Sequence, residues 1–122
     1  RLAQLMNTQP QYKPVITETH HVHKKDKPSG TAVSLAQQII SNIDRLNDFA
    51  ESATSANQFS VKSIREGEVF GYHEVKYESE IDTIAISHNA ASRKGFALGA
   101  VIAAEFIYNK VGFYTMQDVL GF

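Results

Sequence analysis

The sequence contains no cysteine and no tryptophan, and only three of its 122 residues are proline. Without cysteine there is no disulfide, no thiol nucleophile, no zinc–thiolate site and no iron–sulfur cluster. Charge of one sign is missing too: 12 Lys+Arg stand against 13 Asp+Glu, a formal net charge of −1. A chain so balanced lacks the basic field that a nucleic-acid partner requires. No apolar run approaches the ~18–20 residues of a membrane span, and Arg1-Leu2-Ala3-Gln4-Leu5-Met6 has no signal-peptide core. The expected setting is therefore cytoplasmic, with no membrane partner. There is also no G-x-G-x-x-G and no G-x-x-x-x-G-K-[ST], so the chain carries no nucleotide fingerprint of its own.

What is present suits one globular domain over residues 1–122. A chain of this length buries roughly two-thirds of its unfolded surface, enough for one core and too little for a second full domain. It opens on Arg1 with Leu2, Leu5 and Met6 at helical spacing, which predicts the end of a helix begun in a longer protein. Val15 to Val22 is rich in β-branched residues between prolines and predicts a strand. Lys24 to Pro28 reads as a polar loop. Ala32, Val33, Leu35, Ala36, Ile39, Ile40 and Ile43 then fall on one helical face, with Ser29 or Thr31 as the cap.

Residues 44–58 turn polar and small without a period and read as a loop. Phe59 to Ile64 is a short strand, with a turn bracketed by Gly67 and Gly71. His73 to Glu80 alternates, with Val75 and Tyr77 on one face, and Ile81 to Asn89 alternates again, an antiparallel pair. Ala90 to Asn109 is a helix apolar nearly all round, the pattern of a helix buried on more than one side, with Ser92 as its cap and Gly112 at its end. Residues 115–120 form a short terminal helix. The sum is an α+β fold: a mixed sheet of roughly four strands with two main helices packed on one face.

Chemistry is concentrated in Glu18-Thr-His-His-Val-His-Lys-Lys-Asp-Lys-Pro-Ser-Gly-Thr31. Lys24, Lys25 and Lys27 against Asp26 give this corner a charge of +2 in an otherwise neutral chain. Ser29-Gly30-Thr31 stands where a loop enters a helix, so unpaired N–H groups face outward at the positive end of the helix dipole. A histidine beside a lysine in such a place can exchange protons with a bound anion near neutral pH. Each part has a plainer reading. Ser-Gly-Thr is commonly only a cap, a lysine-rich loop is usually solvated, and adjacent histidines on a strand face opposite ways. It is their coincidence within fourteen residues that points to an acid–base site for a carboxylate or phosphate. A metal could be held by His21 and His23 with Glu18, His73 or His88, but three lysines beside it oppose a cation. The expectation is no metal. His88 and Arg93, around a strand end and a helix start, are possible supporting residues.

Glu18-x-His20-His21-x-x-Lys24-x-Asp26-x-Pro28-Ser29-Gly30-Thr31-Ala32 resembles the signature of the dihydrodipicolinate reductases (4-hydroxy-tetrahydrodipicolinate reductases) of lysine and diaminopimelate biosynthesis. His88-x-Ala90-x-Ser92-Arg93-x-x-Phe96-Ala97-x-Gly99-Ala100 and Tyr114-x-Met116-x-Asp118-Val119-Leu120-Gly121 resemble the family's later blocks, in the same order. Lys27 departs from the pattern, standing where a small residue is usual. The resemblance implies the C-terminal domain alone, which binds a cyclic dicarboxylate and assembles a homotetramer through its sheet. It implies NADPH or NADH in the full-length enzyme, held by an N-terminal Rossmann domain, with no cofactor bound by this domain alone and no turnover without its Rossmann partner. By the same resemblance His20 is the acid–base residue and Lys24 the proton donor. His21, Lys24, Ser29, Gly30 and Thr31 hold the substrate carboxylates. Two other readings stand beside this one: a non-catalytic homo-oligomerisation module and a histidine metal-binding protein.

Overall fold

The computed structural model describes residues 1–121, which divide into two compact units, residues 1–89 and 90 onward. The first unit is a five-stranded mixed sheet in the order β2-β3-β1-β4-β5. A short helix, α1 (Leu2–Asn7), leads into β1 (Lys13–His20), followed by α2 (Gly30–Ile40), β2 (Asp48–Ala50), β3 (Gln58–Arg65), β4 (Tyr72–Glu78) and β5 (Thr83–Asn89). The helical crossover through α2 brings β3 parallel to β1, as such crossovers do. From β3 the chain passes across β1 to its other side, where β4 pairs antiparallel with β1 and continues by a hairpin into β5.

The core follows from the two periods in the sequence. Along β1, Pro14, Ile16, Glu18 and His20 alternate onto the buried face. Ala32, Ala36 and Ile39 of α2 are buried in the same cluster as Ile16, Phe59, Val61 and Tyr77, with Ile43 and Leu46 closing it beyond the helix. This face is apolar at one end and ionisable at the other, where β1 and β3 finish.

The sheet has one strand more than the sequence pattern predicts, because residues 44–58 are not all loop. Leu46 is buried, and β2 pairs parallel with β3, placing Phe49 beside Phe59. Arg45 explains why this segment is ordered. Its guanidinium donates to the carbonyls of Met6, Asn7, Gln9 and Tyr12 at 3.3, 3.1, 3.4 and 3.0 Å. These carbonyls lie at the end of α1 and in the turn beyond it; those of Met6 and Gln9 also accept from the N–H groups of Gln9 and Tyr12. The β4–β5 turn needs neither Gly nor Asn because Ser79 builds it: its hydroxyl oxygen accepts from the N–H groups of Ile81 and Asp82 at 3.1 and 3.0 Å.

The second unit consists of α3 (Lys94–Ile107) and α4 (Met116–Leu120). Ser92 accepts from the Lys94 N–H at 3.3 Å, near the expected cap, and the helix begins at Lys94 rather than Ala90. It ends at Ile107, earlier than Gly112, because Asn109 takes a left-handed φ of 60°. Contrary to the sequence expectation, α3 buries none of its residues. Asp118 caps α4 by accepting from the N–H and hydroxyl of Thr115 at 2.6 and 2.7 Å.

Candidate functional site

The ionisable end of the buried face gathers residues that are far apart in sequence. β1 contributes Glu18 and His20. In strand register Glu18 lies across from His73 of β4 and Ser63 of β3, and His20 lies across from Arg65. Glu18 is fully buried and His20 is 9% exposed. The Glu18 carboxylate accepts from Arg65 through both oxygens, each at 2.9 Å, and from the Ser29 N–H at 3.3 Å. Its Oε2 also accepts from His20 Nδ1. Burial alone raises the Glu18 carboxyl, but hydrogen bonds from Arg65, Ser63 and His20, together with the Arg65 charge, outweigh it and hold the group below the ordinary carboxylate value. Glu18 is therefore an anion whose negative charge is shared between a guanidinium and an imidazole.

That bond fixes the His20 tautomer. With the proton on Nδ1 held toward Glu18, Nε2 is left as the nitrogen able to exchange a proton with a bound molecule. Gly71 lies against that side of the ring: a Cβ there would stand 3.3 Å from Nε2 and 3.6 Å from Cδ2. His73 packs edge-on to His20 with ring centroids 5.0 Å apart. Burial lowers the His73 imidazole below its ordinary value, the neighbouring His20, His88 and Lys24 lower it further, and Glu18 only partly opposes them. A neutral His73 suits its partner. Ser29 Oγ accepts from the Ala32 N–H at 3.2 Å, leaving its hydroxyl proton for His73 Nε2 at 3.0 Å.

Ser29 is thus the observed N-cap of α2, buried, with its hydroxyl and N–H both engaged inside the protein. Gly30 and Thr31 open the helix and are exposed. Lys24 is half-buried and its ammonium meets the Asp26 carboxylate at 2.9 Å. His21 follows the end of β1, with its Nδ1 buried and without a hydrogen-bond partner among the described residues. His88 lies across from His73 at the end of β5 and is exposed. Arg93 is the N-cap residue of α3 and belongs to the second unit. The structure therefore brings His20, Lys24 and Ser29 into one hydrogen-bonded system, through Glu18 and Arg65.

Arg65 is not among the candidate site residues of the sequence, and Glu18 and His73 enter there only as conceivable metal ligands. Strand parity carries the signal for all three. Arg65 shares a face with Phe59 and Val61, Glu18 with Ile16, and His73 with Val75 and Tyr77. A charge placed on an apolar face requires a buried partner.

Among the described residues, Glu18, His20 and His73 place potential metal-ligand atoms within 4.8 Å of one another. Both oxygens of Glu18 are already taken by Arg65, so a cation there would have to break a bidentate ion pair.

Residues 1–120 match the family model described as dihydrodipicolinate reductase, C-terminus. The chain is 46% identical over 120 residues to a 4-hydroxy-tetrahydrodipicolinate reductase of Christiangramia forsetii, covering 98% of this chain and 50% of that protein. It is 42% identical over 106 residues to the enzyme of the same name from Thermosipho africanus, covering 86% and 42%. The chain thus spans about half the length of the relatives it matches. A dipicolinate-bound dihydrodipicolinate reductase from Paenisporosarcina sp. TG-14 shares the fold, with a TM-score of 0.63 at 21% identity over 83% of this chain and 41% of that one.

Proposed function

The chain belongs to the dihydrodipicolinate reductase C-terminal family, and from that membership we propose that it is the substrate-binding, acid–base and assembly part of a NAD(P)H-dependent 4-hydroxy-tetrahydrodipicolinate reductase of lysine biosynthesis. The observation that carries this reading is the buried Glu18–His20 pair, in which Nδ1 meets the carboxylate and Nε2 does not, while the same carboxylate accepts from the N–H of Ser29, the cap of α2. A cyclic dicarboxylate fits that chemistry. One carboxylate meets the exposed first residues of α2, Gly30 and Thr31, where N–H groups and the helix dipole favour an anion. Lys24 and His21 supply charge and a hydrogen bond from the strand end. The Lys24 ammonium exchanges Asp26 for the incoming carboxylate and gives a proton to the ring. His20 Nε2 serves as the second proton-exchanging group, and Ser29 holds the start of the helix in place.

The junction from β1 into α2 does not suit a dinucleotide. It offers one glycine, Gly30, and the Ser29 hydroxyl and N–H are spent inside the protein, so no glycine cradle receives a pyrophosphate. The hydride donor is therefore assigned to the part of the longer relatives that this chain does not span, and no step is routed through it here.

The test is an NMR titration of the metal-stripped chain with pyridine-2,6-dicarboxylate, a planar mimic of the two carboxylates that also chelates metals. Saturable shifts centred on His20, Lys24, Gly30 and Thr31 are expected. An absence of shifts up to millimolar ligand would remove substrate binding from this chain and leave assembly as its role.

A further inference from the structure

Arg65 lies outside the motif that carries the resemblance, and its side chain is only 9% exposed. We infer that Arg65 is a positioning residue that couples the orientation of His20 to the placement of Lys24. The inference rests on the roles proposed above for those two residues. A guanidinium has five N–H donors, and here all five are used. Nε donates to the Lys24 carbonyl at 3.2 Å. One terminal nitrogen donates to Glu18 Oε2 at 2.9 Å and to the Ile64 carbonyl at 2.7 Å. The other donates to Glu18 Oε1 at 2.9 Å and to the Asp26 carbonyl.

These bonds divide between the two arms of the site. Two hold the carboxylate that accepts from His20 Nδ1, and two hold the loop backbone at Lys24 and Asp26. A buried ion pair serving only to neutralise Glu18 would need the carboxylate contacts alone. The loop contacts make the rigid plane of the guanidinium a spacer: the imidazole and the lysine backbone are referred to the same five-donor fork. Lysine keeps the charge and loses the plane, so Arg65→Lys is not a conservative change at this position.

The test uses the 122-residue chain. In Arg65→Lys, with folding checked by far-UV circular dichroism, the His20 ring 15N shifts should leave the single Nδ1–H tautomer and the Lys24 and Asp26 amide signals should move. Affinity for pyridine-2,6-dicarboxylate should fall about tenfold or more, about 1.4 kcal/mol of binding free energy. The reciprocal variant is Glu18→Gln, which touches neither Lys24 nor Asp26. Its disturbance should still reach both amides through Arg65. A folded Arg65→Lys with the wild-type tautomer, or a Glu18→Gln that leaves the Lys24 and Asp26 amides unmoved, overturns the coupling. Should Arg65→Lys not fold, the Glu18→Gln amides decide alone. Tautomer and amide signals need no ligand, so a wild-type chain that fails to bind the dicarboxylate counts against the proposed function and leaves the coupling standing.

Discussion

Glu18 and His73 face each other across β1 and β4 and both sit below their ordinary values, for different reasons. Glu18 is lowered because hydrogen bonds and a guanidinium overcome burial. His73 is lowered because burial and cationic neighbours act together. The signs add on acidification. As pH falls through the ordinary imidazole value of 6.5, the unfolded chain takes a proton that folded His73 refuses, and stability declines. Below the ordinary carboxylate value of 4.5 the unfolded chain takes another that folded Glu18 refuses, and the decline steepens until Glu18 itself is protonated. Around His73 the charged and titratable groups are Glu18 and His20 of β1, His88 of β5 and Lys24 of the loop. Melting temperature measured from about pH 8 to 3 should therefore fall in two stages, and His73→Gln should flatten the first while keeping the second. An unchanged first stage in that variant would show that His73 is not the group responsible. At this scale the Ser29 cap was legible, and His20 and Lys24 were candidates, because all three fall within ten residues of one motif. Arg65 and His73 come from strands whose pairing the sequence does not state, so only their parity on apolar faces betrayed them.

At the scale of elements, the loop reading of residues 44–58 failed where three-residue β2 is too short to show a period and where one side chain does the work of a turn motif. Arg45 binds the carbonyl end of α1 and the following turn, and Asn7 and Asp44 reinforce the same junction through two bonds of 2.9 Å. The Leu46 side chain, one residue on, enters the core. Replacing Arg45 with Ala leaves four part-buried or exposed carbonyls to find water, and the expected loss is about 1–3 kcal/mol in urea unfolding. A change below about 0.5 kcal/mol, the range of ordinary surface substitutions, would mean that water replaces the guanidinium freely. The elements with clear periods, β1, α2 and β4, were legible because each places one face in the core, and β5 was legible from its alternation although only Ile84 on it packs against the core.

For the whole molecule, α3 sets the question that its sequence raised. Phe96, Leu98, Val101, Ile102, Phe106 and Ile107 are spread around its circumference, and none of them is buried within the chain. One neighbour covers only one side of a cylinder, so a helix of this kind belongs in an environment that meets it on several sides. Ile86 of β5, on an outer strand of the sheet, is likewise 61% exposed. Monomeric proteins rarely leave apolar surface of this extent in water. Under the proposed function, further copies of this chain would supply the cover. Multi-angle light scattering of the purified chain should then give a multiple of the 13.5 kDa chain mass that persists on dilution into the micromolar range. Leu98→Glu, on the exposed helix of the second unit, should drive the mass toward the monomer while leaving the His20 tautomer unchanged. A wild-type chain that stays monomeric at high concentration would remove self-assembly as the cover for α3, and would leave the part of the longer relatives that this chain does not span as the surface it requires.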